Sequence, residues 1–103
     1  MGSDEVLFRR QMEALEADAR LGVEMEKFRG SIPYRYLMAK AELEAMKAAE
    51  DLVDCAATDA SEICRLQNEV KRLRTIRVWV DEAVDKGLAA LDQLEERERL
   101  SDD

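Results

Sequence analysis

Cys55 and Cys64 are the two cysteines of a chain that has no histidine. A mixed Cys/His zinc set or a thiolate–imidazole pair needs the ring that is missing, and two thiols alone do not complete a tetrahedral site. Nine residues of continuous helix would set the two sulfurs about 180° apart, so no intrachain disulfide is expected without a turn between them. Two reduced, small apolar side chains are the plain reading; an interchain or redox role is the alternative. The second constellation is cationic. Arg65, Lys71, Arg72, Arg74 and Arg77 stand against one carboxylate, Glu69, within residues 65–77, close to Trp79, the single tryptophan. Nucleic-acid contact needs a basic face interleaved with stacking aromatics. These cations scatter around the helix, and Tyr34 and Tyr36 are far away in sequence. A solvated band paired with acidic neighbours, or a dock for an acidic protein, fits better, and the acid-rich residues 81–103 supply such a partner within the chain itself. Trp79 with Ile76 and Val80 is the best candidate for an exposed apolar patch.

Carboxylate pairs such as Glu42 with Glu50 or Asp51 with Asp54 fall at random in a chain with 24 acidic residues, and nothing holds them in a pocket. No glycine spacing makes a phosphate-cradling loop. No catalytic, cofactor-binding or metal residue is therefore expected, and no cofactor.

The elements that carry these residues must be helical. The chain has 103 residues, 47% apolar and 39% charged, with four Gly and one Pro. That is too little turn chemistry for a many-stranded β fold and too much apolar content for disorder. The formal net charge of −8 opposes general phosphate or anionic-lipid binding. No apolar run approaches the roughly 18–20 residues that span a bilayer, and the first residues, Met1-Gly2-Ser3-Asp4-Glu5, are acidic where a signal peptide is basic. A soluble, cytoplasmic protein of one domain, with no membrane contact, is expected.

Ser3 as a cap, with Asp4 and Glu5 at the positive end of the dipole, predicts a helix over 3–29. Its apolar rows are Phe8, Met12, Leu15 and Ala19, then Leu7, Ala14, Leu21, Met25 and Phe28. Gly30, Ser31 and Pro33 predict a tight turn over 30–33. From residue 34 to 99 no proline intervenes, and a heptad register with position a at Ile63 never breaks. The d positions are Met38, Ala45, Leu52, Asp59, Leu66, Leu73, Val80, Gly87 and Leu94; the a positions are Glu42, Ala49, Ala56, Ile63, Val70, Arg77, Val84 and Leu91. That pattern reads as a coiled-coil seam.

Before residue 60 the flanking e and g positions are small and apolar (Ala39, Ala41, Met46, Ala48, Val53, Cys55); beyond it they become largely charged. A wide small-residue face takes two neighbours, and a narrow seam takes one. Helix one, about 26 residues and roughly 40 Å long, matches residues 34–60 in length. The expectation is an all-α antiparallel hairpin in which Phe8, Met12, Leu15, Leu21, Met25 and Phe28 cover Ala45, Ala49, Leu52 and Ala56. The rest of a long 34–99 helix then forms a coiled-coil stem. Its seam, Ile63, Leu66, Val70, Leu73, Arg77, Val80, Val84, Leu91 and Leu94, would need a second copy, and residues 100–103 would form an acidic tail. The alternative is a three-helix bundle of 3–29, 34–57 and 61–99, with a break near 58–61 where Asp59 and Glu62 resemble a capping box.

The run Leu66-Gln67, Val70, Leu73, Ile76, Trp79-Val80, Ala83, Gly87, Ala90 resembles a stretch in small helical proteins encoded by tailed phages. The resemblance implies a virion or assembly component present in many copies, such as a capsid or connector part, and hence a virion location. It carries no functional residues across. From the residues themselves the expectation is a non-enzymatic, homo-oligomerising protein that holds or presents protein partners. The alternatives are a small helical adaptor or inhibitor docking through Trp79, and a nucleic-acid packaging accessory factor acting through Arg65, Lys71, Arg72, Arg74 and Trp79.

Overall fold

Helices account for nearly all of the chain, and the all-α expectation is met. The computed structural model describes residues 2–102, and among them no strand occurs. Helix α1 runs Gly2–Arg29, α2 runs Ile32–Asp54 and α3 runs Ala60–Asp102. Ser3, expected as a cap, already lies inside α1, with Asp4 and Glu5 in its first turn. Gly30 ends that helix without a positive φ. Ser31 is the cap of α2: it is extended, and its hydroxyl accepts from the Tyr34 N–H at 3.3 Å, while Pro33 fills a first-turn position where an N–H has no partner anyway.

The single helix expected over 34–99 is interrupted. Cys55 adopts an extended backbone, and Asp59 caps α3, its Oδ1 accepting from the Glu62 N–H at 3.1 Å and its carbonyl from the Ile63 N–H at 3.0 Å. The break spans residues 55–59, slightly ahead of the 58–61 alternative. The Glu62 carboxylate bonds Arg65 instead of reaching back to Asp59, so only one half of the capping box is used. Residues 100–102 continue α3 rather than forming a separate tail, and residue 103 lies outside the described residues.

Two compact units divide the chain: α1 to Phe28 together with α3 from Val80, and the segment from Arg29 to Trp79. In the first, α1 and the end of α3 run antiparallel. Gly22 meets Gly87, Lys86 Nζ lies 3.8 Å from Asp18 Oδ2, and Arg97 sits 5.4 Å over the Phe8 ring while its Nη1 donates to Met12 Sδ at 3.0 Å. In the second, α2 reverses at 55–59 and packs antiparallel on the first half of α3. Arg74 Nη2 donates to Glu42 Oε1 at 3.0 Å across that pair, and Met38, Ala41, Leu73 and Val78 line one shallow groove.

The expected pairing of helix one with residues 34–60 is therefore corrected: α1 pairs with the far end of α3. In α1, Met12, Leu15 and Met25 are half-buried there, whereas Phe8, Leu21 and Phe28 keep much of their surface exposed. Ala45 is fully buried and Ala49 and Leu52 are half-buried, but within the unit that pairs α2 with α3; Ala56 sits exposed in the connection.

Candidate interaction surface

The seam assigned to a second copy is largely covered by the chain itself. Leu66, Val80 and Val84 are only 2–3% exposed, Ile63, Val70, Leu73 and Leu94 are half-buried, and only Arg77 and Leu91 stay exposed. The reason is a change of phase that the sequence hides. Helix α2 buries Tyr34, Met38, Ala45 and Ala48, with Ala41 and Leu52 half-buried beside them. That stripe uses the d and g positions, whereas α3 uses a and d. With alanine at 41, 48, 49 and 56, rotating the helix by one position costs nothing visible in the heptad pattern.

The rotation leaves α2 with a second stripe on its opposite face. Ile32, Tyr36, Ala39, Leu43, Met46 and Val53 recur at spacings of four and three, broken only by Glu50 at the equivalent position, and all are exposed. Ile32 keeps 80% of its surface, Tyr36 64% and Val53 84%. Such spacing is the signature of a face that packs on another helix, and nothing among the described residues covers it. Sequence reasoning registered that the alanine-rich half needs two neighbours but missed this line; the signal was the same 4–3 repeat, one face away. Pairs of helices leave outer faces bare.

The cationic band is mostly neutralised at home. Arg65 pairs with Glu62 at 2.5 Å, Arg72 with Glu69 at 2.5 Å and Arg74 with Glu42 at 3.0 Å; among the described residues Lys71 and Arg77 make no such ion pair. Trp79 is 62% exposed beside Ile76 on the outer surface of α3, but Val80 turns inward and is not part of that patch. Cys55 is half-buried and Cys64 exposed, both free thiols. Burial first, then the carboxylates of Asp59 and Glu62, raise the Cys55 thiol above its ordinary value, with Arg65 opposing. The hydrogen bond from Arg65 is the main cause holding Glu62 below its ordinary value, and the same bond raises Arg65. Among the described residues no helix is long and apolar enough to cross a membrane. No protein-family model, curated protein or solved structure matches this chain.

Proposed function

We propose that this chain is a non-enzymatic helical assembly protein that works by associating with further copies of itself and so holds or presents partners. One observation carries the reading: the uncovered apolar stripe of α2. Fully burying a large apolar side chain contributes about 1.5–3 kcal/mol, so leaving Ile32, Tyr36, Leu43, Met46 and Val53 in water forgoes several kcal/mol in a protein whose whole stability is on the order of 5–15 kcal/mol. The resemblance of residues 66–90 to small phage-encoded helical proteins supports a structural part of a virion, on a capsid or connector, as the setting. Apart from the exposed Arg77 and Leu91, the seam residues of α3 are used within the chain and play no intermolecular role in this reading.

The exposed Trp79 and Ile76 favour a second reading, a small adaptor or inhibitor that docks a different protein through α3. The two readings separate on mass. Sedimentation equilibrium at about 100 µM is expected to give a species heavier than the 11.8 kDa chain, with the larger fraction growing as concentration rises. A monomer across the whole concentration range would reject self-association and leave the adaptor.

A further inference from the structure

We infer that two copies of this chain pair through the outward face of α2, with the two α2 helices antiparallel. The inference rests on the self-association proposed above and names its surface and orientation. The stripe from Ile32 to Val53 runs roughly 32 Å at 1.5 Å per residue. Covering its five large side chains removes on the order of 500 Å² of apolar surface per copy. Ala39 and the stems of the flanking Arg35 and Lys40 extend that toward the roughly 800 Å² per partner of a standard interface. A second copy is the natural occupant because one continuous stripe with helix spacing is complementary to itself, as a two-fold contact requires.

Charge sets the direction. The first turn of α2 has no acid and its last turn no base. Arg35 and Lys40 border the stripe at its start, and Glu50 and Asp54 border or interrupt it at its end. That distribution opposes the helix dipole, which favours acids at the start and bases at the end, so the helix gains nothing from it alone. Arg35, Lys40, Glu50 and Asp54 are exposed, and no ion pair within the chain engages them among the described residues. A parallel pair would stack Glu50 on its twin and Lys40 on its twin. An antiparallel pair brings the basic start of each helix against the acidic end of the other and, with the two stripes fully overlapped, sets Glu50 near Arg35 and Tyr36 of the second copy.

Sedimentation of the full chain tests this with Leu43→Glu and Met46→Glu, both exposed positions, alongside circular dichroism. Each variant is expected to weaken dimerisation at least about tenfold with helix content unchanged. If the wild type associates and both variants associate equally well, the α2 interface is wrong while self-association stands; a monomeric wild type overturns both. For orientation, Arg35→Glu and Glu50→Lys are each expected to weaken the dimer by about two- to fivefold, and the double variant to regain wild-type affinity. Absence of loss in the single variants, or of recovery in the double one, overturns the antiparallel arrangement.

Discussion

Gly22 of α1 and Gly87 of α3 meet backbone to backbone. A Cβ built on Gly22 would lie 2.6 Å from the Gly87 Cα, and one built on Gly87 would lie 2.5 Å from the Gly22 Cα and 2.9 Å from the Asp18 carbonyl oxygen. Both glycines are buried in the middle of helices, where alanine would ordinarily be better by about 1 kcal/mol. The contact reverses that sign. Gly22→Ala or Gly87→Ala has only backbone to push against, so each is expected to destabilise the α1–α3 unit by about 1–3 kcal/mol. Urea unfolding measures it, and a gain in stability from either substitution would refute the close crossing.

This crossing marks the limit of what the residue pattern could say. Gly30, Ser31 and Pro33 act locally through cap and turn chemistry, and the α1–α2 boundary was accordingly legible to within two residues. Asp59 and Glu62 were legible in the same way as a helix start. The partner of α1 was not, because it depends on two glycines 65 residues apart, and Gly87 read only as a d position of the heptad. The reversal at 55–59 was masked by alanine, which fits a seam position and a flanking position equally well. As a result the same apolar line in α3 was assigned to another chain, when α2 and α1 reach it within this one.

Leu73 distinguishes the two assignments directly. It is half-buried and lines the groove with Met38 and Ala41 of α2, so it acts within the α2–α3 pair. Leu73→Asp is expected to cost about 2–4 kcal/mol by placing a carboxylate against that apolar wall, visible as a lower unfolding midpoint. Were it to change mass in sedimentation with no loss of stability, Leu73 would belong to an intermolecular seam after all.

The start of α3 depends on one side chain. Asp59 satisfies the Glu62 N–H, and without it that first-turn donor faces solvent alone. Asp59→Ala is expected to lower stability by about 1 kcal/mol, and Asp59→Asn, which keeps the accepting oxygen, by far less. Equal losses from the two would mean that charge, and not the cap bond, is what matters there. Glu62 adds a pH dependence of known sign. Its folded carboxyl is held below the ordinary 4.5, so its contribution is present above that pH and fades as the pH falls through the folded value. The stability gap between wild type and Glu62→Gln is expected to close on acidification.

The two thiols should separate by reactivity. Alkylation proceeds through the thiolate, and Cys55 is both half-buried and raised above its ordinary 9.0 by burial and the carboxylates of Asp59 and Glu62. Cys64 is exposed on α3. Iodoacetamide at about pH 8, followed by peptide mass spectrometry, is expected to modify Cys64 first, with Cys55 labelling still accelerating as the pH passes 9.0. Replacing Asp59 with Asn removes one of the two carboxylates that disfavour the Cys55 thiolate and is expected to speed its labelling while leaving Cys64 unchanged. Faster reaction at Cys55 than at Cys64 in the wild type would show that residues 55–59 are open to solvent, contrary to the partial burial seen for Cys55.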